Sequence, residues 1–431
     1  MEIVEGFDKA KSILSRQAKR RITGDDDREK TVRQIINDVR ERGDAALFHY
    51  TEKFDGVKLT SLEVDRQLID TAYRGIDKEL LAAMKLAAER ITAYHLEQKQ
   101  KLWQENRGSK LGWLIRPLRS VGVHVPGFSA PLPSSLLMTA VPARVAGVEE
   151  VILMTPPQSN GQVSPITLAA ARIAKVDRVF SVGGAQAIAA LAFGTESVPG
   201  VDKVCGPGNI FVSLAKKMVF GAVGIDGLYG PSEVIIIADE TANAEYAAAD
   251  LLAQAEHGSL ASAILIATSQ KVADNVNREI EKQLETLQRR DITAESLEKK
   301  GLIAVVNSVD EGIELANLYA PEHLCLLVGK AASYVEKVKN AGCIFVGENS
   351  IEALVDYVAG PSHVLPTDGT ARFSSGLNIL DFVKLISLVK TDKTDIKQLG
   401  RAAAVIARAE GLDAHARAVE KRLKDAGRGG S

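Results

Sequence analysis

A carboxamide and an imidazole three residues apart close an Ala-rich stretch, in the segment Gln254-Ala255-Glu256-His257-Gly258. The spacing predicts a helix from Asn243 through Leu252 and on to His257, with Thr241 or Asn243 as N-cap and Gly258 just past its C-terminus. At i and i+3, Gln254 and His257 share one face of the last turn. The unpaired carbonyls there favour a cation. Together these make half of a metal site built from N and O donors, although an ordinary polar helix end fits the same letters.

Other residue types in the chain suit the same chemistry. Glu322 and His323 follow Pro321, which favours a turn, so both side chains can serve one site although strand neighbours point apart. A carboxyl and an imidazole suit general acid/base work near neutrality, and a solvated strand edge is the plainer alternative. Asp356 precedes Gly360-Pro361, with His363 just beyond, and Glu410 and His415 lie in the tail. With Gln254 and His257 these supply ligand types that zinc accepts, but spacing does not assemble them. Ser232, in Gly230-Pro231-Ser232-Glu233, is placed to touch substrate or to cap a turn. Three glycine turns each stand between a strand and a helix: Val125-Pro126-Gly127, Val182-Gly183-Gly184-Ala185-Gln186 and Cys205-Gly206-Pro207-Gly208-Asn209. Backbone amides at such helix starts suit phosphate. None of the turns is GxGxxG, so a tight connection and a nucleotide site are both open.

The elements that position these residues follow from periodicity. Residues 1 to about 22 read as an amphipathic helix ending in Lys19-Arg20-Arg21, broken by Gly24-Asp25-Asp26-Asp27. Helices are expected at 32–42, 44–54, 67–76 and 78–103. From Leu118, short apolar strands (121–125, 150–154, 178–182, 202–205) alternate with helices. After Gly230 the alternation resumes, with strands at 233–238, 263–267, 303–306, 325–328 and 343–346. The reading is α/β, with two adjacent doubly wound units and parallel sheets. The spans are 1–22 as an N-terminal helical extension, 25–120 with 233–375 as the unit carrying the metal and catalytic candidates, 121–232 as the nucleotide-side unit, and 376–431 as a helical tail. A crevice is expected at strand C-terminal ends or between the units.

Composition limits the classes. The chain has 431 residues, with 53 Lys and Arg against 55 Asp and Glu, a formal charge of −2. This balance points away from nucleic acid and from anionic membranes. No apolar run is long enough for a bilayer and no leader-like segment stands at Met1-Glu2, so a cytoplasmic protein is expected. Cys205, Cys325 and Cys343 show no CxxC spacing, so neither a thiolate metal site nor a disulfide framework is expected.

Read together, the runs 122–127, 182–195, 202–209, Gly230-Pro-Ser-Glu233, Gln254-Ala-Glu-His-Gly258, Pro321-Glu-His-Leu324, His363-Val-Leu-Pro-Thr367 and Tyr50-Thr-Glu-Lys-Phe-Asp-Gly-Val57 resemble histidinol dehydrogenase over nearly the whole chain. The resemblance implies incomplete Rossmann-like units and a zinc-dependent, NAD-linked enzyme of histidine biosynthesis. Such an enzyme oxidises L-histidinol to L-histidine in two hydride transfers through a bound aldehyde. It implies Gln254, His257, Asp356 and His415 as metal ligands, His415 coming from the other subunit of a homodimer through an exchanged tail. Glu322 and His323 carry over as the acid/base pair. Ser232, Glu410 and His363 carry over around the substrate, which Gln254, His257, His323, Asp356 and His415 also border. His124, Gln186 and Asn209 fall at NAD contacts. Two residues depart from the pattern: His124 stands where the family usually has Tyr, and Phe128 where it often has a second Gly. An imidazole can still stack on a flat ring, and Phe128 would narrow the nucleotide side.

Three rival readings remain. Cys205 or Cys325 could attack the aldehyde as a thiolate, but nothing beside either lowers its pKa. Another hydroxy compound, such as a small sulfonated diol, could be the substrate. A metal- or nucleotide-binding regulatory protein is the reading without catalysis, and an intact Glu322-His323 pair weighs against it.

Overall fold

The computed structural model describes residues 1–18, 26–105, 107–127 and 131–427. The basic run at 19–21, the break at 24–25 and Phe128 lie outside them. Among the described residues thirteen strands run in chain order: β1 (Glu2–Glu5), β2 (Leu111–Pro117), β3 (Ser120–His124), β4 (Glu150–Met154), β5 (Arg178–Phe180), β6 (Lys203–Cys205), β7 (Gly224–Ile225), β8 (Glu233–Ala238), β9 (Ser262–Ala267), β10 (Leu302–Val305), β11 (His323–Leu327), β12 (Cys343–Val346) and β13 (Val383–Val389).

Packing divides the chain into two units, Met1–Lys99 with Pro117–Phe382, and Gln100–Arg116 with Val383–Ser431. The first unit holds two sheets. One is five-stranded in the order β5-β4-β3-β6-β7, and the other is six-stranded in the order β1-β10-β9-β8-β11-β12. Both are parallel throughout. The sequence explains the form. Glu233–Ala238 (EVIIIA) and Ser262–Ala267 (SAILIA) are buried at every position, as strands covered on both faces must be. Alternate residues feed separate cores. Val234 and Ile236 pack with Leu251, Leu252 and Val276. Ile235 and Ile237 pack with Leu14, Ile313 and Tyr319. The five-stranded sheet buries Ile152, Met154 and Val204 against Ile36, Ile188 and Leu214.

The alternating strands and helices from 118 to 346 match expectation. The first residues do not. Glu2–Glu5 is not helical but forms β1 beside β10, with Glu2 opposite Leu302, and the helix begins at Phe7. A four-residue edge strand with one buried side chain, Val4, is too short to show a period.

The second unit contains the two-stranded sheet of β2 and β13 and two helices, Lys393–Ala409 and Asp413–Gly427. The tail over 376–431 is expected to be helical, so β13 is a correction. A capping box at Asp392 and Asp395 starts the first helix. Gly400 lets the second approach, since a Cβ there would press on Leu423. Among the described residues no helix is long and apolar enough to cross a membrane.

Candidate active site

Glu322 and His323 stand where helix Val309–Tyr319 turns into β11. Ala320 takes a left-handed conformation (φ 58°), and Pro321 follows, so the turn presents both side chains together as the sequence implied. Both are buried, at 6% and 4% exposure. The backbone of Glu233, at the start of neighbouring β8, engages both. Its N–H donates to Glu322 Oε2 at 2.9 Å, and its carbonyl oxygen is 3.2 Å from His323 Nδ1. A carbonyl only accepts, so Nδ1 carries the proton and Nε2 is the basic atom. Nε2 is buried with no hydrogen-bond partner among the described residues. Burial pushes the imidazole down to about 3, which keeps it neutral. Burial, with Glu233, Glu352 and Asp356 nearby, raises the Glu322 carboxyl well above its usual range. A neutral base thus stands beside a carboxyl that holds its proton unusually tightly.

These residues border a cavity of about 500 Å³, together with Ser232, His257, Asp356, His363 and Asn209. His363 Nδ1 donates to the Asp356 carbonyl at 2.7 Å, which leaves Nε2 3.2 Å from the Ser135 hydroxyl. Ser135, on helix Pro133–Ala146, also lines the cavity; its place in the chain gave no signal.

The Gln254 and His257 expectation needs correction. The helix runs Ala244–Ala255 with Asn243 as N-cap, as read, but its C-cap is Glu256. His257 therefore lies past the last turn and shares no helical face with Gln254. His257 is exposed on the cavity, whereas Gln254 is fully buried. With its amide oriented to satisfy both ends, Gln254 donates to Glu352 Oε1 at 2.5 Å and accepts from Glu233 N–H at 2.8 Å.

Glu352 is the functional candidate that the sequence reading missed. It is 4% exposed, its Oε1 is 3.6 Å from His323 Nδ1, and its Oε2 has no hydrogen-bond partner among the described residues. It lies one helical turn before Asp356 on helix Glu352–Tyr357. That i, i+4 spacing of two carboxylates was the available signal.

His257 and Asp356 line the cavity, Gln254 is fully buried, and His415 and Glu410 are exposed in the second unit. Among the described residues no three His, Cys, Asp or Glu side chains already enclose a metal position. The donor types fit zinc, and burial raises the Asp356 carboxyl to about 6. A bound cation would relieve that strain on its charged form.

The opposite side of the cavity comes from the five-stranded sheet, through Pro126 and the turn Pro207-Gly208-Asn209. Asn209 caps helix Ile210–Val219, its oxygen accepting from the N–H groups of Phe211 and Val212. Those amides are therefore not free for phosphate. Gln186 is buried on helix Gly184–Phe193. His124 is buried too, at 2% exposure, and both its ring nitrogens bond to backbone: Nδ1 to the Pro207 carbonyl at 2.9 Å, Nε2 to Gly184 N–H at 3.3 Å. Cys205 and Cys325 are fully buried, and burial raises both thiols well above their usual range. Neither is placed to serve as a thiolate nucleophile.

Comparison with known proteins agrees with the motifs. Residues 18–423 match the family model for histidinol dehydrogenase. The chain is 56% identical to a histidinol dehydrogenase of Dehalococcoides mccartyi, over 98% of this chain and 100% of that one. It is 51% identical to one from Deinococcus radiodurans, over 92% and 91%. The crystal structure of histidinol dehydrogenase from Elizabethkingia anophelis superposes with a TM-score of 0.92 at 36% identity, covering 99% of this chain and 98% of that one. With motifs, fold and whole-length similarity in agreement, the chain belongs to the histidinol dehydrogenase family.

Proposed function

We propose that this chain oxidises L-histidinol to L-histidine, the closing step of histidine biosynthesis, in two NAD-linked oxidations with the aldehyde held between them. The observation that carries the reading is the placement of His323 and Glu322 on one backbone unit, Glu233, at the wall of the cavity. Gln254, His257 and Asp356, with His415 of a second copy, would hold zinc. When bound, zinc would fix the substrate's imidazole and amine, and NAD would take up one hydride in each oxidation.

The chain's own groups manage the protons. In the first step the substrate's C–H and O–H bonds break, and His323 Nε2 accepts the hydroxyl proton. In the second, water adds to the aldehyde carbon while Glu322, once ionised, accepts its proton. The hydrate anion so formed then gives up its C–H hydrogen as hydride and its remaining hydroxyl proton to His323, which has released the first one, leaving the carboxylate. Ser232 and His363 border the substrate within the cavity, and Glu410 would approach with His415. His124, Gln186 and Asn209 belong to the NAD side.

The dimer is part of this reading. The second unit exposes Leu385, Ile386, Val389, Leu399, Val405, Ile406 and Leu412. So much apolar surface in one small unit suits a subunit interface, and an exchanged tail would bring His415 to its partner's cavity. No membrane or nucleic-acid partner is part of the reading, and we place the enzyme in the cytoplasm.

The test is NADH formed per histidinol consumed, by metal-free protein and after zinc is restored. Two NADH per alcohol, only with metal, is the expected result. One NADH with free aldehyde would reduce the protein to an alcohol dehydrogenase. No turnover by zinc-loaded protein would favour another hydroxy substrate.

A further inference from the structure

The NAD-side edge of the five-stranded sheet has its polar groups bound to one another. Strand order reverses between β3 and β6, where ligands of open α/β sheets settle. His124 ends β3 at that point. Its ring reaches the turn after β6, through Pro207, and the turn after β5, through Gly184. The β6 turn is held elsewhere too. Gly206 N–H donates to Asp226 Oδ2 at 2.7 Å, and Lys216 Nζ donates to the Gly206 carbonyl at 3.0 Å. Lys216 and Asp226 form an ion pair at 2.5 Å with side chains 1% and 0% exposed. Gly206 has φ +108°, and a Cβ there would overlap the His124 carbonyl oxygen, so only glycine lets the turn lie against β3.

We infer that His124 is a positioning residue for the coenzyme: as a neutral two-handed bridge it sets the spacing of the two glycine turns, and it acts on NAD through them rather than by stacking or direct contact. The inference rests on the reading of this edge as the NAD side. A ring 2% exposed offers no face to a nucleotide. The bridge needs a donor on Nδ1 and an acceptor on Nε2 at once, which only the neutral ring supplies. Burial pushes this imidazole down to about 4, with the Lys216 ammonium adding to the effect, so the ring stays neutral at working pH. Held at both ends, the turns are fixed before coenzyme arrives, and binding does not have to order them.

The test compares zinc-loaded wild type with His124→Phe and His124→Asn. Phe keeps a flat ring without either nitrogen, and Asn keeps a donor on the Pro207 side. The readouts are NADH affinity by fluorescence titration, KM for NAD against kcat, histidinol affinity and thermal midpoint. Phe is expected to weaken NADH binding and raise KM for NAD by about 10- to 100-fold, the range for stranding buried polar groups. Its kcat at saturating NAD and its histidinol affinity should stay near wild type, with Asn intermediate. Wild-type NADH affinity in Phe, even with a lower thermal midpoint, would overturn the inference. If Phe does not fold, ¹⁵N spectra of wild-type imidazoles decide. An Nδ1–H ring at His124 that is unchanged by NADH supports the bridge, and an Nε2–H ring or one that NADH releases overturns it. Wild type that binds no NADH at all would instead remove the NAD reading.

Discussion

The two sheets of the first unit share a strand order and put opposite edges to use. In β5-β4-β3-β6-β7 and in β10-β9-β8-β11-β12 the earliest strand is central and the order reverses beside it. The five-stranded sheet meets the cavity at its C-terminal edge, through Pro207 and Asn209. The six-stranded sheet meets it at its N-terminal edge, because Glu322 and His323 open β11 and Glu233 opens β8. Helices run back between parallel strands, so a C-terminal edge gathers helix N-termini and an N-terminal edge gathers helix C-termini. The first is electropositive and the second electronegative. One edge therefore suits an anionic coenzyme. The other, where helix Ala244–Ala255 ends beside His257, suits a cation. A crevice is expected at strand C-terminal ends or between the two α/β stretches; the strand-end form holds for one sheet, and the lining comes from both stretches.

This contrast can be broken by changing one edge at a time. Glu322→Gln at the electronegative edge is expected to slow aldehyde oxidation by about 10²–10⁴-fold, the usual worth of acid/base help. Alcohol oxidation should suffer less and NADH affinity stay intact, as stopped-flow runs started from alcohol and from aldehyde would reveal; equal losses would remove the water-activating role. Lys216→Met leaves Asp226 buried and unpaired beneath the other edge. Loss of one partner of such a pair costs about 3–5 kcal/mol, readable as a lower urea midpoint, and an unchanged midpoint would mean that the pair holds nothing. Glu352→Gln is expected to weaken zinc by about 10- to 100-fold, as loss of a group that orients a ligand does. Chelator competition measures this, with NADH affinity as the control. If both affinities fell together, the two edges would not be separable. The smallest effect belongs to Cys205→Ala with Cys325→Ala, for which kcat should stay within about two-fold since buried thiols take no part; loss of turnover with folding intact would restore a thiohemiacetal route.

Much of the framework was legible because buried parallel strands leave uninterrupted apolar runs, as in Glu233–Ala238. The Glu322-His323 turn was legible because Pro321 constrains it. Glu352 was not, since its burial depends on Gln254 and His323 arriving from elements about 98 and 29 positions away along the chain. His124 was legible as a residue type but not in its burial: a ring at a strand end looks exposed until the fold closes over it. The helix end at Ala255 was misjudged by about two residues, which was enough to take His257 off the helical face that carries Gln254.

Strand β1 bears on how the chain is made. Its partner β10 begins at Leu302, opposite Glu2. On a ribosome adding roughly 5–20 residues per second, the partner follows the first residues by roughly 15–60 s. During that interval β1 has no strand partner, and the helix face with Leu14 can meet Ile235, Ile237, Ile264 and Ile266 but not Ile313 or Tyr319, which come later still. The edge of the six-stranded sheet is therefore completed late, by two strands about 300 residues apart in the chain. A chain cut short before residue 302 would leave β1 without its strand partner and the sheet without that edge.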